Sequence, residues 1–161
     1  MNIIIRLASE ADYSSVNSLH FQTYKLYRQN IPESYRPTPP IVLSKGDFFN
    51  IIKDKNALML VAEVDGKVVG QLYAFVEKYE GDEVTTGYNR VEIGEISIVP
   101  ENVRQGIGTK LMKEVEIWAK TKQITELSTL VYDFNKEAIE FYRSNDYKPY
   151  SIKMNKKIIG E

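Results

Sequence analysis

The sequence predicts a mixed α/β domain, with a central, mostly antiparallel sheet flanked by helices, and three features predict it. Three apolar runs of strand character follow one another between residues 57 and 99, the first two joined by the turn signal Asp65-Gly66. At Gly106 the apolar period changes to about 3.6 residues, which marks a helix. Strand, helix and strand patterns then follow in turn. With 161 residues, 43% of them hydrophobic and 27% charged, the chain can bury a core without staples, and one domain over residues 1–161 is expected.

Each element has its own signal. Residues 3–8 read as a first strand, and Ser9 with Asp12 three positions on gives a capping-box-like helix start. Val16, Leu19, Thr23, Tyr24 and Tyr27 then share a face, and the helix is expected to end near Gln29, because residues 30–40 hold four prolines. A short helix from about Asp47 carries Phe48, Phe49, Ile51 and Ile52. The nearly unbroken apolar run 57–64 suits a buried strand, 68–76 is its hairpin partner, and 80–87 is a polar turn leading to a strand at 90–99. Ile107, Leu111, Met112, Val115, Trp118 and Ala119 form the stripe of the next helix. Residues 125–132 read as a strand, 135–144 as a helix and 147–154 as a last strand, so the predicted order is βααβββαβαβ.

Charge and composition exclude several classes of function. Lys and Arg number 21 and Asp and Glu 22, so no overall field draws the chain to nucleic acid or an anionic membrane, and neither is expected as a partner. The chain has no cysteine and a single histidine, His20, which removes thiolate chemistry and leaves no metal site to expect. The start MNIIIRLAS lacks a basic leader, and no window approaches the roughly 18 apolar residues of a membrane span, so a cytoplasmic location is expected.

The chemistry concentrates in residues 92–112, where a strand passes through a loop opened by Pro100 into the helix start Gly106-Ile107-Gly108. The first amides of a helix lack internal partners and lie at the positive end of its dipole, so they bind anions readily. Gly106 and Gly108 present no side chain to a diphosphate, while Arg104 and Lys110 can add charge. A Walker A loop would need Gly-Lys-Ser/Thr where this chain has Gly108-Thr109-Lys110, and a dinucleotide fingerprint would need glycine at Leu111.

This loop resembles the acyl-CoA loop of the GNAT superfamily of N-acetyltransferases, matching it at Ile98, Pro100, Gly106, Ile107, Gly108 and Leu111. Downstream, Asn135, Ala138, Phe141 and Tyr142 are similar to that family's second signature, Asn-x-x-Ala-x-x-Phe/Leu-Tyr. Two departures stand out. Val103 occupies the place of the usual Arg or Gln, and Asp146, preceded by Asn145, takes that of the glycine after the second signature. Asn and Asp tolerate the left-handed conformation of a helix end, so the fold should accommodate the change.

The resemblance implies a sheet splayed at the cofactor strand, acetyl-CoA as co-substrate, and direct attack of a primary amine on the thioester. A base must take the amine proton, a donor must hold the oxyanion, and an acid assists the departing thiol, of pKa roughly 8.5 when free. The second signature makes Tyr142 the implied acid, with core filling as the competing role. Glu95 is preferred over Glu92 as base, and strand alternation is expected to place the two on opposite faces. An amide near Ile98 or Val99 is the expected oxyanion donor, Pro100 ending the strand pairing there. Cofactor contacts are expected from Ile98, Val99, Arg104, Gln105, Gly106, Ile107, Gly108, Thr109, Asn135 and Tyr142; Asn135 is equally a natural N-cap. Tyr24, Tyr27 and Tyr35 are candidates for the acceptor pocket or a tyrosine-rich core edge, and His20 reads as structural. A non-catalytic acyl-CoA-binding sensor on the same fold is the alternative. The acceptor's identity and the acyl length stay open, as does a homodimer.

Overall fold

Asp65 and Gly66 both take positive φ, 50° and 75°, the primed turn that joins twisted antiparallel strands and that the Asp-Gly pair announces. The turn connects β2 (Ala57–Val64) to β3 (Lys67–Gly81), and β3 pairs in turn with β4 (Thr86–Ile98). The structure, a computed structural model, describes residues 2–39 and 41–158; Pro40, one of the four prolines expected to break the first helix, lies outside them. The chain divides into two compact units, Met1–Leu130 and Val131–Glu161.

In the first unit β1 (Ile3–Leu7) runs antiparallel to β2, and β5 (Leu127–Thr129) runs parallel to β4, giving the sheet order β1-β2-β3-β4-β5. Around it lie α1 (Tyr13–Asn30), α2 (Lys45–Lys53) and α3 (Ile107–Thr121). Ser9 and Asp12 frame a 3₁₀ turn, Glu10–Asp12, that leads into α1, so the helix itself starts at Tyr13, later than a Ser9 cap suggested. The Asp12 carboxylate accepts from the Ser9 amide at 2.7 Å and is paired with Arg6 at 2.8 Å, which holds it well below the ordinary carboxylate range, at about 2. Ser44 caps α2 by accepting from the Asp47 amide at 3.0 Å.

Side-chain parity divides the core into two layers. Met59 and Val61 pack with Val16, Leu43 and Phe48 beneath α1 and α2, and the partner of Met59 across the ladder, Tyr73, joins them. Leu58, Leu60, Leu72, Ala74 and Ile93 alternate onto the opposite face, where α3 brings buried Ile107, Leu111, Met112, Val115 and Ala119.

Three boundaries differ from the sequence reading. The turn expected over 80–87 shrinks to residues 82–85, because the exposed Asp82 carboxylate accepts from the Val84 and Thr85 amides and the Tyr79 hydroxyl and so lets both strands run on. The strand expected over 125–132 is reduced to Leu127–Thr129. The last strand, expected over 147–154, does not form, so the order among the described residues is βααβββαβα. Its alternation is real but nothing buries it: Tyr150, Ile152 and Met154 are 91%, 86% and 88% exposed, and Pro149 has no N–H to give to a ladder.

The second unit is built on α4 (Lys136–Ser144). Asn135 caps it, its side chain accepting from the Ala138 amide at 3.2 Å. At the far end Asp146 takes φ 66°, Tyr147 N–H donates to the Tyr142 carbonyl and Asp146 N–H to that of Arg143, a Schellman closure completed by contact of the Tyr142 and Tyr147 rings. Aspartate thus does here what glycine does in the family pattern.

Candidate active site

Strand β4 carries both candidate carboxylates, and its ladder to β3 is irregular where it matters. Ala74 pairs with Ile93 and Tyr73 with Glu95, which leaves Gly94 as an extra residue in a β-bulge. Glu92 pairs with Phe75, and the Phe75 and Tyr73 rings lie on one face, stacked with centroids 5.5 Å apart. Cross-strand partners share a face, so Glu92 and Glu95 are cofacial. The expectation of opposite faces fails because simple alternation counts Gly94 as a paired residue. A glycine is needed there: a Cβ would stand 2.8 Å from Tyr73 Cδ1.

The Glu95 carboxylate meets α1. Its Oε2 lies 2.9 Å from His20 Nδ1, and its Oε1 accepts from the Thr23 hydroxyl and from Gln71 Nε2, each at 3.0 Å. Gln71 Nε2 also donates to the Ser97 hydroxyl at 3.0 Å. The group is largely withdrawn from water, with the Glu95 and His20 side chains 17% and 12% exposed and Gln71 fully buried. Glu92 is held differently, accepting from the Ser128 hydroxyl of β5. Gln71 and Ser97 escaped the sequence reading, and Thr23 entered it only as part of a helix face; the one available signal was a glutamine inside the apolar run of β3, where a polar residue needs a buried partner.

Pairing of β4 with β5 covers only Val91–Ile93 against Leu127–Thr129, so residues 95–98 are paired to β3 alone. Val99 N–H donates to the Val69 carbonyl at 2.8 Å, which fixes the phase of the ladder. Because amides alternate sides along an antiparallel strand, Ile98 N–H points away from β3, on the side of β4 that β5 does not reach. Of the two amides considered for the oxyanion, Val99 is therefore occupied and Ile98 is not.

The loop then makes a short 3₁₀ turn, Pro100–Asn102, and reaches α3 through two left-handed residues, Arg104 at φ 59° and Gly106 at φ 78°. The Gln105 side chain braces it, donating to the Glu101 carbonyl at 3.0 Å. Lys110 N–H closes the first helical bond to the Gly106 carbonyl at 3.1 Å, while the amides of Ile107, Gly108 and Thr109 donate to no described residue. Arg104 and Lys110 are exposed and form no ion pair among the described residues. Three amides without a partner among the described residues, a helix dipole and two unengaged cations are the groups that hold an anion in such sites, with Ile107 and Gly108 themselves buried here. Among the described residues no cluster of side chains gathers to hold a metal ion, and no helix is long and apolar enough to cross a membrane.

Residues 21–147, which include this strand, loop and helix, match the family model described as the acetyltransferase (GNAT) family. The chain belongs to the GNAT family. It is an acyltransferase, and the family's reaction is acetyl transfer. Solved structures share the fold. The tetramutant of the BH1408 protein from Bacillus halodurans has a TM-score of 0.90 at 21% identity, over 96% of this chain and 99% of that one. Aminoglycoside antibiotic 6'-N-acetyltransferase AAC(6')-Ih from Acinetobacter baumannii has a TM-score of 0.75 at 24% identity, over 99% and 100%. A transcriptional regulator from Bacillus halodurans C-125 has a TM-score of 0.69 at 22% identity, over 98% and 100%. No curated protein matches the chain in sequence.

In this GNAT chain the three tyrosines singled out near the first helix do meet. The Tyr35 ring packs against Tyr27 with centroids 5.5 Å apart and against Tyr24 at 6.1 Å, while the Tyr24 hydroxyl donates to the Arg36 carbonyl. In the second unit Tyr142 is buried, its ring against Phe141 and Tyr147. Asn135 serves as the N-cap that its place in the signature also allows.

Proposed function

We propose that this GNAT chain, acting as a single domain, transfers an acetyl group from acetyl-CoA to a primary amine. The observation that carries the reading is the coincidence, on one strand and the loop after it, of a held carboxylate at Glu95, an amide freed at Ile98 and unpaired amides at the start of α3. The amides of Ile107, Gly108 and Thr109, with Arg104 and Lys110, would hold the diphosphate, and the pantetheine arm would run beside Ile98 in the splay. The amine nitrogen attacks the thioester carbonyl, a C–N bond forms, and the oxyanion is stabilised by Ile98 N–H. Glu95 takes the amine proton, directly or through water. The C–S bond then breaks, and the thiolate takes a proton from Tyr142, a role assigned from the second signature. The Tyr24, Tyr27 and Tyr35 cluster offers ring faces to a cationic acceptor.

Thiol release from acetyl-CoA with a panel of amines tests the reading, since turnover with at least one amine is expected. Tyr142→Phe should lower kcat by about tenfold or more. Coenzyme A binding without turnover across the panel would favour the sensor alternative, and a loss smaller than tenfold would remove Tyr142 as the acid.

A further inference from the structure

The buried polar group around Glu95 contains a residue that the reaction scheme leaves unused. His20, on α1, places Nδ1 2.9 Å from Glu95 Oε2, while its Nε2 is buried and meets no hydrogen-bond partner in the structure. A ring held by one nitrogen and ignored at the other is not there to knit α1 to its surroundings in general. It is aimed at a single carboxylate oxygen.

We propose that His20 is a positioning residue for the transfer, fixing the Glu95 carboxylate through Nδ1–H so that its remaining lone pair on Oε2 is presented to the acceptor amine. The inference rests on the reading of Glu95 as the base. Two lone pairs of Oε1 are taken by Thr23 and Gln71, so Oε2 is the oxygen with capacity left. Without His20, the Thr23 and Gln71 bonds hold Oε1 alone and the carboxylate can rotate about that anchor. A displacement on the order of 1 Å in a reacting group costs up to about a hundredfold in rate.

The geometry also separates this role from that of a base in its own right. Nε2 touches neither solvent nor a polar partner, so no acceptor can reach it in this structure, and His20 acts only through Glu95. Glu92 and Tyr73 on the same sheet face and Tyr24 one turn along α1 form no hydrogen bond or ion pair with the imidazole among the described residues.

Three variants decide the matter, each assayed for kcat, for KM of both substrates and for melting temperature with and without coenzyme A. Asparagine offers an amide N–H where the imidazole carries Nδ1–H, and alanine offers none. His20→Ala should lose about tenfold to a hundredfold in kcat with KM for acetyl-CoA within about twofold, and His20→Asn should recover to within about threefold of the parent. Glu95→Gln should lose about a hundredfold or more. If Glu95→Gln keeps its activity, the reading of Glu95 as base fails and takes the proposal with it. If Glu95→Gln is inactive but His20→Ala is not, or if Asn is no better than Ala, the positioning role alone is overturned. A rise in KM for acetyl-CoA or a lost coenzyme A-dependent melting shift in His20→Ala would also overturn it, since the lesion would then lie in the fold.

Discussion

Replacing Gly94 by alanine tests the bulge that organises the site. Gly94 does not occupy the positive-φ region, so an alanine backbone is permitted and the perturbation is steric. The new methyl would lie 2.8 Å from Tyr73 Cδ1, 3.0 Å from Tyr73 Cε1 and 3.5 Å from Phe75 Cε1, where ordinary contact begins at 3.4 Å. The tyrosine ring must therefore retreat by about 0.6 Å. Retreat is resisted, because the ring stacks on Phe75 and packs against the cluster of Val16, Leu43, Phe48, Met59 and Val61. Overpacking of this kind costs about 1–3 kcal/mol, offset by about 0.4–1 kcal/mol from the reduced freedom of the unfolded chain. At mid-range, about 2 less about 0.7, the net loss is about 1.3 kcal/mol, or a melting temperature lower by roughly 3–5 °C for a chain of this length. Urea and thermal denaturation measure it. A Gly94→Ala protein as stable as the parent would show that the Tyr73 ring does not lie over the glycine.

Two further outcomes follow from charge. Exchanging Arg104 and Lys110 together for alanine should weaken coenzyme A binding by about tenfold and flatten its dependence on salt, as calorimetry at low and high ionic strength would reveal; unchanged affinity would place the diphosphate elsewhere. The pairing of Asp12 with Arg6 lowers the Asp12 pKa from 3.8 to about 2, so its contribution to stability is fully present above pH 4 and is lost as pH falls through about 2. The shift would correspond to roughly 2.5 kcal/mol, which the one-third exposure of Arg6 reduces to about 1–2 kcal/mol. Asp12→Asn should lose that amount at neutral pH and show a flatter acid limb between pH 4 and pH 2 in denaturant titrations.

Elements whose sequence states a local requirement were legible. Asp65-Gly66 fixes its hairpin by backbone conformation alone, and the stripe from Ile107 to Ala119 finds its burial whatever its neighbours are. Elements defined by their partners were not. The alternation of Tyr150, Ile152 and Met154 is as regular as that of many strands, yet a strand exists only where another backbone accepts it, and period alone carries no information about that. The site divides the same way. Glycines and a proline marked the loop, because an anion cradle is made of main chain and needs small residues. The clamp on Glu95 draws His20 and Thr23 from 75 and 72 positions away, a meeting that no local window can register.

The bulge at Gly94 does two things at once, and this ties the Glu95 carboxylate to the amide proposed as oxyanion donor. Along a strand, side-chain face and amide direction share one parity, so a phase fixed for one is fixed for the other. Were Gly94 an ordinary paired residue, it would stand opposite Tyr73 and Glu95 would move opposite Leu72, facing the buried layer beneath α3. Ile98 would by the same count fall opposite Val69 and donate its amide to β3, as Val99 does now. The proposed base would be buried among Leu60 and Leu72 and the proposed oxyanion donor consumed by the ladder. A single unpaired residue thus turns Glu95 toward α1 and Ile98 N–H toward the open side of the sheet together. Their relative placement is a property of the backbone, which point substitutions elsewhere in β4 should leave intact.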